Sequence, residues 1–175
     1  MEFTFVLKYQ LSNESDDMDA LVERLGEAGC DDALVGTGQP GRLALEFVRE
    51  APTAEAAVQS ALADVRNAVP SAQLIEMAPD LVGLSDVAEL VGVSRQNMRK
   101  LMLMHTAADF PVPVHEGSTS IWHLADLLVW LENRAGYAIN RDLLEVARVA
   151  LQVNAAKEGK RISRAAFKEL GALIG

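Results

Sequence analysis

GLSDVAELVGVSRQNMRKLM, residues Gly83 to Met102, decides how this chain is read. Val87, Leu90 and Val91 stand three or four residues apart, one inward stripe on a short helix over Asp86 to Leu90. Ser85 is placed to cap it, because its hydroxyl can take a free amide of the first turn. Gly92 then permits a tight left-handed turn. Ser94 starts a second helix with the same capping chemistry. There Met98, Leu101, Met102 and His105 share one side, and Gln96, Arg99, Lys100 and Leu103 the other. Helix, glycine turn and serine-capped helix make the pattern of a helix-turn-helix. The side chains suit that work: Arg can bridge guanine O6 and N7, Gln or Asn can bridge adenine N6 and N7, and Lys can meet a phosphate. Two short amphipathic helices joined by a glycine also occur in helical domains that never meet DNA, so the flanks must decide.

Downstream, FPVPVHEGSTSIWHLADLLVWLENR (Phe110 to Arg134) predicts a small hairpin and a helix. Pro111 and Pro113 fix an extended entry. Val112 and Val114 point one way, Glu116-Gly117-Ser118 is turn chemistry, and Ser120 to Trp122 returns as the second strand. Leu124, Leu127, Leu128 and Leu131 form a helical stripe. With LSDVAELVGVSRQNMRKL, FPVPV and IWHLADLLVW in this order, residues 79–134 resemble the winged helix-turn-helix of the MerR, excisionase and AlpA kind. Trp122, Asp126 and Trp130 fall at the spacing those domains use. The resemblance covers roughly a third of the chain and implies double-stranded DNA as a partner. It implies a reading helix over residues 94–104 that presents Ser94, Arg95, Gln96, Asn97, Arg99 and Lys100 to the duplex. Gly117, Ser118 and Thr119 would form a wing beside the backbone, with the hydroxyls donating to phosphate. Glu116 departs from that pattern, since an acid there is repelled by DNA.

The N-terminal part has a pattern of its own. Phe3, Phe5, Leu7 and Tyr9 alternate with Glu2, Thr4, Val6, Lys8 and Gln10, a strand with one buried face. Ser12 to Asp17 is a polar loop. Met18, Leu21, Val22 and Leu25 form a helical stripe, ended by Gly26 or Gly29. A short strand over Asp32 to Val35, the turn Thr37 to Gly41, and a third strand through Leu43, Leu45 and Phe47 follow. Thr53 can cap a helix carrying Ala57, Val58, Ala61, Leu62 and Val65, and Gln73 to Met77 is a fourth strand. This βαββαβ order is the ferredoxin-like arrangement, so the fold class expected is α+β. Residues 1–78 form a ferredoxin-like domain expected to fold by itself, 79–135 the winged helix-turn-helix domain, and 136–175 a C-terminal helical segment. In that segment Asn140 caps a helix whose wide arc of Leu143, Leu144, Val146, Val149, Ala150 and Val153 needs partners on more than one side. Ser163 caps a last helix with Phe167, Leu170 and Ile174 expected inward.

The charge is divided. Residues 1–79 carry 5 basic and 14 acidic side chains, residues 80–135 carry 4 and 7, and residues 136–175 carry 7 and 4, within a net charge of -9. An acidic front part is repelled by phosphates and should face away from a duplex. Weak overall attraction argues that two copies bind together, so a homodimer is expected, with the helix over 140–155 at its interface. No apolar run reaches the length of a membrane span and the N-terminus lacks signal-peptide character, so a cytoplasmic location and no membrane partner are expected. The single Cys30 fits a reducing compartment and reads as a small core residue at a helix end.

No catalytic site is expected. Asp16-Asp17 and Asp31-Asp32 are adjacent pairs, read as solvated loop charges. His105, His115 and His123 lack zinc-site spacing, and GTGQPG lacks the Lys-Ser/Thr ending of a phosphate loop. No cofactor or metal is implied, and Met98, Met102 and Met104 read as core. The sequence thus predicts a DNA-binding transcriptional regulator. The second reading is an antitoxin or adaptor that holds a partner protein and regulates its own operon.

Overall fold

In a computed structural model, residues 1–13, 17–105 and 109–175 are described, and Asp16 of the Asp16-Asp17 pair lies outside them. The chain is α+β. Strands β1 (Glu2–Gln10), β2 (Ala33–Gly36), β3 (Arg42–Glu50) and β4 (Gln73–Ala78) form an antiparallel sheet in the order β2-β3-β1-β4. Helices α1 (Met18–Glu27) and α2 (Ala54–Ala68) link β1 to β2 and β3 to β4. The alternation of β1 puts Phe3, Phe5, Leu7 and Tyr9 inside, against Leu43, Leu45 and Phe47 of β3. The other face carries Thr4, Lys8 and Glu46 into solvent, as expected of an antiparallel sheet covered on one side. Thr53 caps α2 by accepting the Ala56 N–H at 3.1 Å. Gly29, at φ +104°, ends α1 in the conformation that favours glycine. On α1 only Leu21 and Leu25 are buried; Val22, expected inward, faces solvent.

A second core starts at β5 (Leu81–Val82), a strand too short to show in the sequence. It pairs with β6 (Trp122–His123). Between them lie α3 (Leu84–Leu90) and α4 (Arg95–Met104), and after them α5 (Leu124–Glu132), which buries Leu124, Leu127, Leu128 and Leu131 as its stripe predicts. Met98 is buried and Met102 half-buried, whereas Met104, expected in the core, is exposed.

Helix α6 (Arg141–Gly159) packs on both cores. Its Val146 and Ala150 belong to the first core, and its Leu144 and Ala147 to the second. Leu143 packs on the second core, and Val149 and Val153 on the first. The whole arc assigned to a dimer interface is therefore occupied within the chain, and the first core is not confined to residues 1–78. The last helix, α7 (Arg164–Gly171), is capped by Ser163 as expected but buries nothing: Phe167 is 67% and Ile174 81% exposed. The inward placement of Phe167, Leu170 and Ile174 is thus reversed.

The acid pair Asp31-Asp32 is also corrected. Asp32 binds Arg49, which ends the inward face of β3 and is 8% exposed. Cys30 is buried beside this network, and burial, with Asp64 next, pushes its thiol up from 9.0 to about 11. The thiol thus keeps its proton in the fold where the unfolded chain has lost it. Stability is then fully present below pH 9.0 and falls as pH climbs toward 11. Burial raises the Tyr9 phenol in the same direction. The expected result is that iodoacetamide at pH 9 alkylates the folded chain at least about tenfold more slowly than the urea-unfolded chain. Equal rates would place Cys30 in solvent.

Candidate nucleic-acid interface

The turn between α3 and α4 is built by local chemistry. Helix α3 begins at Leu84, two residues earlier than the stripe predicts. Its N-cap is Gly83, not Ser85, and Asp86 accepts the Gly83 N–H at 2.8 Å. Gly92, at φ +71°, makes the left-handed turn, closed by the Val93 N–H donating to Ala88 at 2.9 Å. Ser94 caps α4 by accepting the Asn97 N–H at 3.1 Å. Val87, Ala88 and Met98 join the second core beneath the pair and fix the angle at which α4 is presented.

The outer face of α4 is then set by the helical period. Arg95, Gln96, Arg99 and Lys100 are exposed, and among the described residues none of the four has a hydrogen bond or ion pair. Such side chains carry only water and counterions, which phosphates displace at low cost. Asn97 is drawn away from this group. It is half-buried, and its Nδ2 donates to the Tyr137 hydroxyl at 3.4 Å. It therefore braces α4 rather than facing outward, and no local pattern marks Tyr137 as its partner.

The segment before β6 is held by aromatic side chains. Phe110 meets Trp122 and Trp130 edge-on, with ring centroids 5.9 and 4.9 Å away. The Trp122 indole N–H donates to the Pro111 carbonyl at 3.0 Å, and that of Trp130 to the Asp109 carbonyl. Arg134 stacks on Trp130 at 3.7 Å. The expected hairpin is reduced to one bridge, His115 to Ile121, because the returning strand spends its pairing on β5. Val112 and Val114 are exposed, so this loop has no apolar seam. Gly117, Ser118 and Thr119 sit exposed at its tip, and the Thr119 methyl lies near Gly83 at the start of α3. Gly117 does not adopt a left-handed backbone. Its value is space, since an added Cβ would come within 2.6 Å of the His115 ring.

A polar clasp that the sequence did not reveal joins this unit to the sheet. Asp80 is 1% exposed and lies 2.6 Å from His123 Nδ1. Asn154 of α6 donates to Asp80 at 2.7 Å and exchanges two hydrogen bonds with the Met77 backbone. A lone acid after Pro79 was the only signal. Among the described residues, no three His, Cys, Asp or Glu side chains converge as metal ligands do, and no helix is long and apolar enough to cross a membrane. Comparison with protein families, curated proteins and solved structures finds no match to this chain. The functional reading rests on its own residues.

Proposed function

We propose that this protein is a sequence-specific DNA-binding transcriptional regulator. In this reading a ferredoxin-like unit is joined to a winged helix-turn-helix of the MerR, excisionase and AlpA kind. The strand order β2-β3-β1-β4 supports the first assignment, and α3, α4, the β5-β6 pair and the loop before β6 support the second. The observation that carries the proposal is the outer face of α4, where three cations and an amide lack internal partners among the described residues. Arg95, Gln96 and Arg99 read base edges, Lys100 meets phosphate, and Ser118 and Thr119 touch the backbone.

The experiment is selection of bound sequences from a random duplex pool, followed by titration of the selected site. Arg99→Ala is expected to weaken binding by about 1–3 kcal/mol, roughly 5- to 150-fold, and to relax the preference at one base pair. Changing Ser118 and Thr119 together to Glu is expected to weaken all sequences alike. A pool that enriches no sequence, or Arg99→Ala with unchanged affinity and preference, overturns the assignment.

A homodimer remains part of the proposal, because one recognition helix reads few base pairs and the chain's charge gives little non-specific attraction. Two copies would set their α4 helices on half-sites about one helical turn apart. With α6 occupied, the uncovered apolar face of α7 is the surface assigned to pairing. Light scattering should give a dimer for the full chain and a monomer for a chain ending at Ile162. The same uncovered face favours the second reading, an adaptor or antitoxin holding a different protein, if the full chain is monomeric.

A further inference from the structure

Between α2, β4 and the end of α6 lies an open groove of about 710 Å³ that the DNA reading does not use. Its walls are apolar: Leu62, Val65, Val69, Leu74 and Val153. Tyr9 lines it from β1. Tyr9 is 5% exposed, and its hydroxyl has no hydrogen-bond partner among the described residues. The oxygen is not sealed in the core, where Arg134 Nε is the one unpartnered side-chain N or O among the described residues; it opens into the groove, where water or a ligand can take its hydrogen bond. The rim is cationic. Lys157 is engaged by the Ile75 carbonyl and by Glu158, but Arg66 and Lys160 have no acid or acceptor among the described residues.

We propose that this groove is a binding site for a small amphipathic anion, such as a medium-chain or arylalkyl carboxylate. The apolar body lies along Leu62, Val65 and Val153. The carboxylate faces Arg66 and Lys160, and the neutral Tyr9 hydroxyl donates to a polar atom of the ligand. The volume falls within the roughly 300–1,000 Å³ of ordinary ligand sites, which combine apolar walls with a few placed polar groups. An occupant touches α6, the helix shared with the core beneath α4, so it is placed to be sensed by both units.

Decanoate and 3-phenylpropanoate are the probes, with decan-1-ol as the uncharged control, titrated into the full chain by calorimetry. The readout is binding alone, so it stands or falls apart from DNA recognition. Saturable binding of at least one carboxylate is expected at up to millimolar concentration, with amide NMR shifts clustered around Leu62, Leu74 and Val153. Ala156→Trp fills the groove from an exposed wall position and should abolish binding. Tyr9→Phe keeps the ring and should weaken binding on the order of 2- to 13-fold. Changing Arg66 and Lys160 to Gln should weaken the carboxylate and leave decan-1-ol unchanged. Melting curves establish that each variant is folded. The proposal is overturned by absence of saturable binding for both carboxylates, by binding that survives Ala156→Trp, or by equal affinity for acid and alcohol. It is also overturned if Ala156→Trp dissociates a dimer, because the groove then holds a second copy.

Discussion

Replacing Arg49 by Ala is expected to cost about 3–5 kcal/mol of folding stability, a large part of what a domain of this size has. Arg49 stands where the alternation of β3 calls for an apolar side chain. Its guanidinium makes a two-pronged contact with Asp32 at 2.7 and 2.8 Å, and reaches Asp64 at 2.8 Å and Ser60 at 3.0 Å. It also donates to the Gly29 carbonyl at 2.6 Å and lies 4.9 Å from the Phe47 ring centre. The hydrogen bonds to Asp32 raise its pKa beyond the usual arginine range, so it is charged at every accessible pH. Removing it leaves the Asp32 and Asp64 carboxylates without their shared cation, and a carbonyl and a hydroxyl without a donor. Arg49→Lys should recover only part of the loss, because an ammonium cannot reproduce the planar fork. Urea melts of the single variant and of the variant that also carries Asp32→Asn and Asp64→Asn give the coupling. The combined cost should be well below the sum of the separate ones. A loss under about 1 kcal/mol for Arg49→Ala would mean that water replaces the arginine freely.

Arg49 marks the boundary of what the sequence discloses. Period-two alternation in β1 and β3 and the leucine stripe of α5 follow from local pattern, and the structure has them. Thr53, Ser94, Asn140 and Ser163 cap helices because a side-chain oxygen serves amides two or three residues away, a distance the chain itself fixes. The cap of α3, at Gly83 rather than Ser85, is a local failure; the others are long-range. Asp31-Asp32 looks like loop charge until β3 brings Arg49 to it. Leu81-Val82 is too short to read as a strand, and its partner Trp122-His123 lies 40 residues on, which also takes away the expected hairpin. Asn97 looks like a base reader until Tyr137 is placed beside it. Phe167 and Ile174 have the right spacing for burial, but spacing cannot say whether a surface exists to receive them. For the site the balance is similar. The exposed face of α4 is legible, whereas the polar clasp and the Tyr9 groove depend on residues that meet only in three dimensions.

The largest effect is expected from removing α6. A chain ending at Tyr137 loses Val146 and Ala150 from the first core and Leu144 and Ala147 from the second. Burying a Val or Leu side chain stabilises by about 1.5–3 kcal/mol and an alanine methyl by less. The four together therefore come to roughly 5 kcal/mol, the low end of a whole domain's stability. The loss goes further, because Asn154 leaves with the helix. The Met77 backbone N–H and carbonyl then lose their partner, and buried Asp80 keeps only His123. The truncated chain should thus lose its cooperative thermal transition, and fragment 1–78 should do the same despite its complete set of strands. A chain ending at Gly159 keeps α6 and should retain the cooperative transition, since α7 buries nothing within its own chain, and should lose only what pairing through α7 adds. Leu144→Asp and Val146→Asp separate the two cores: the first should loosen residues 80–135 in hydrogen exchange, the second the sheet. A fragment 1–78 that melts cooperatively near the full chain's temperature would show that α6 only leans on a core already complete. In that case the seam at Pro79 would be a true domain boundary.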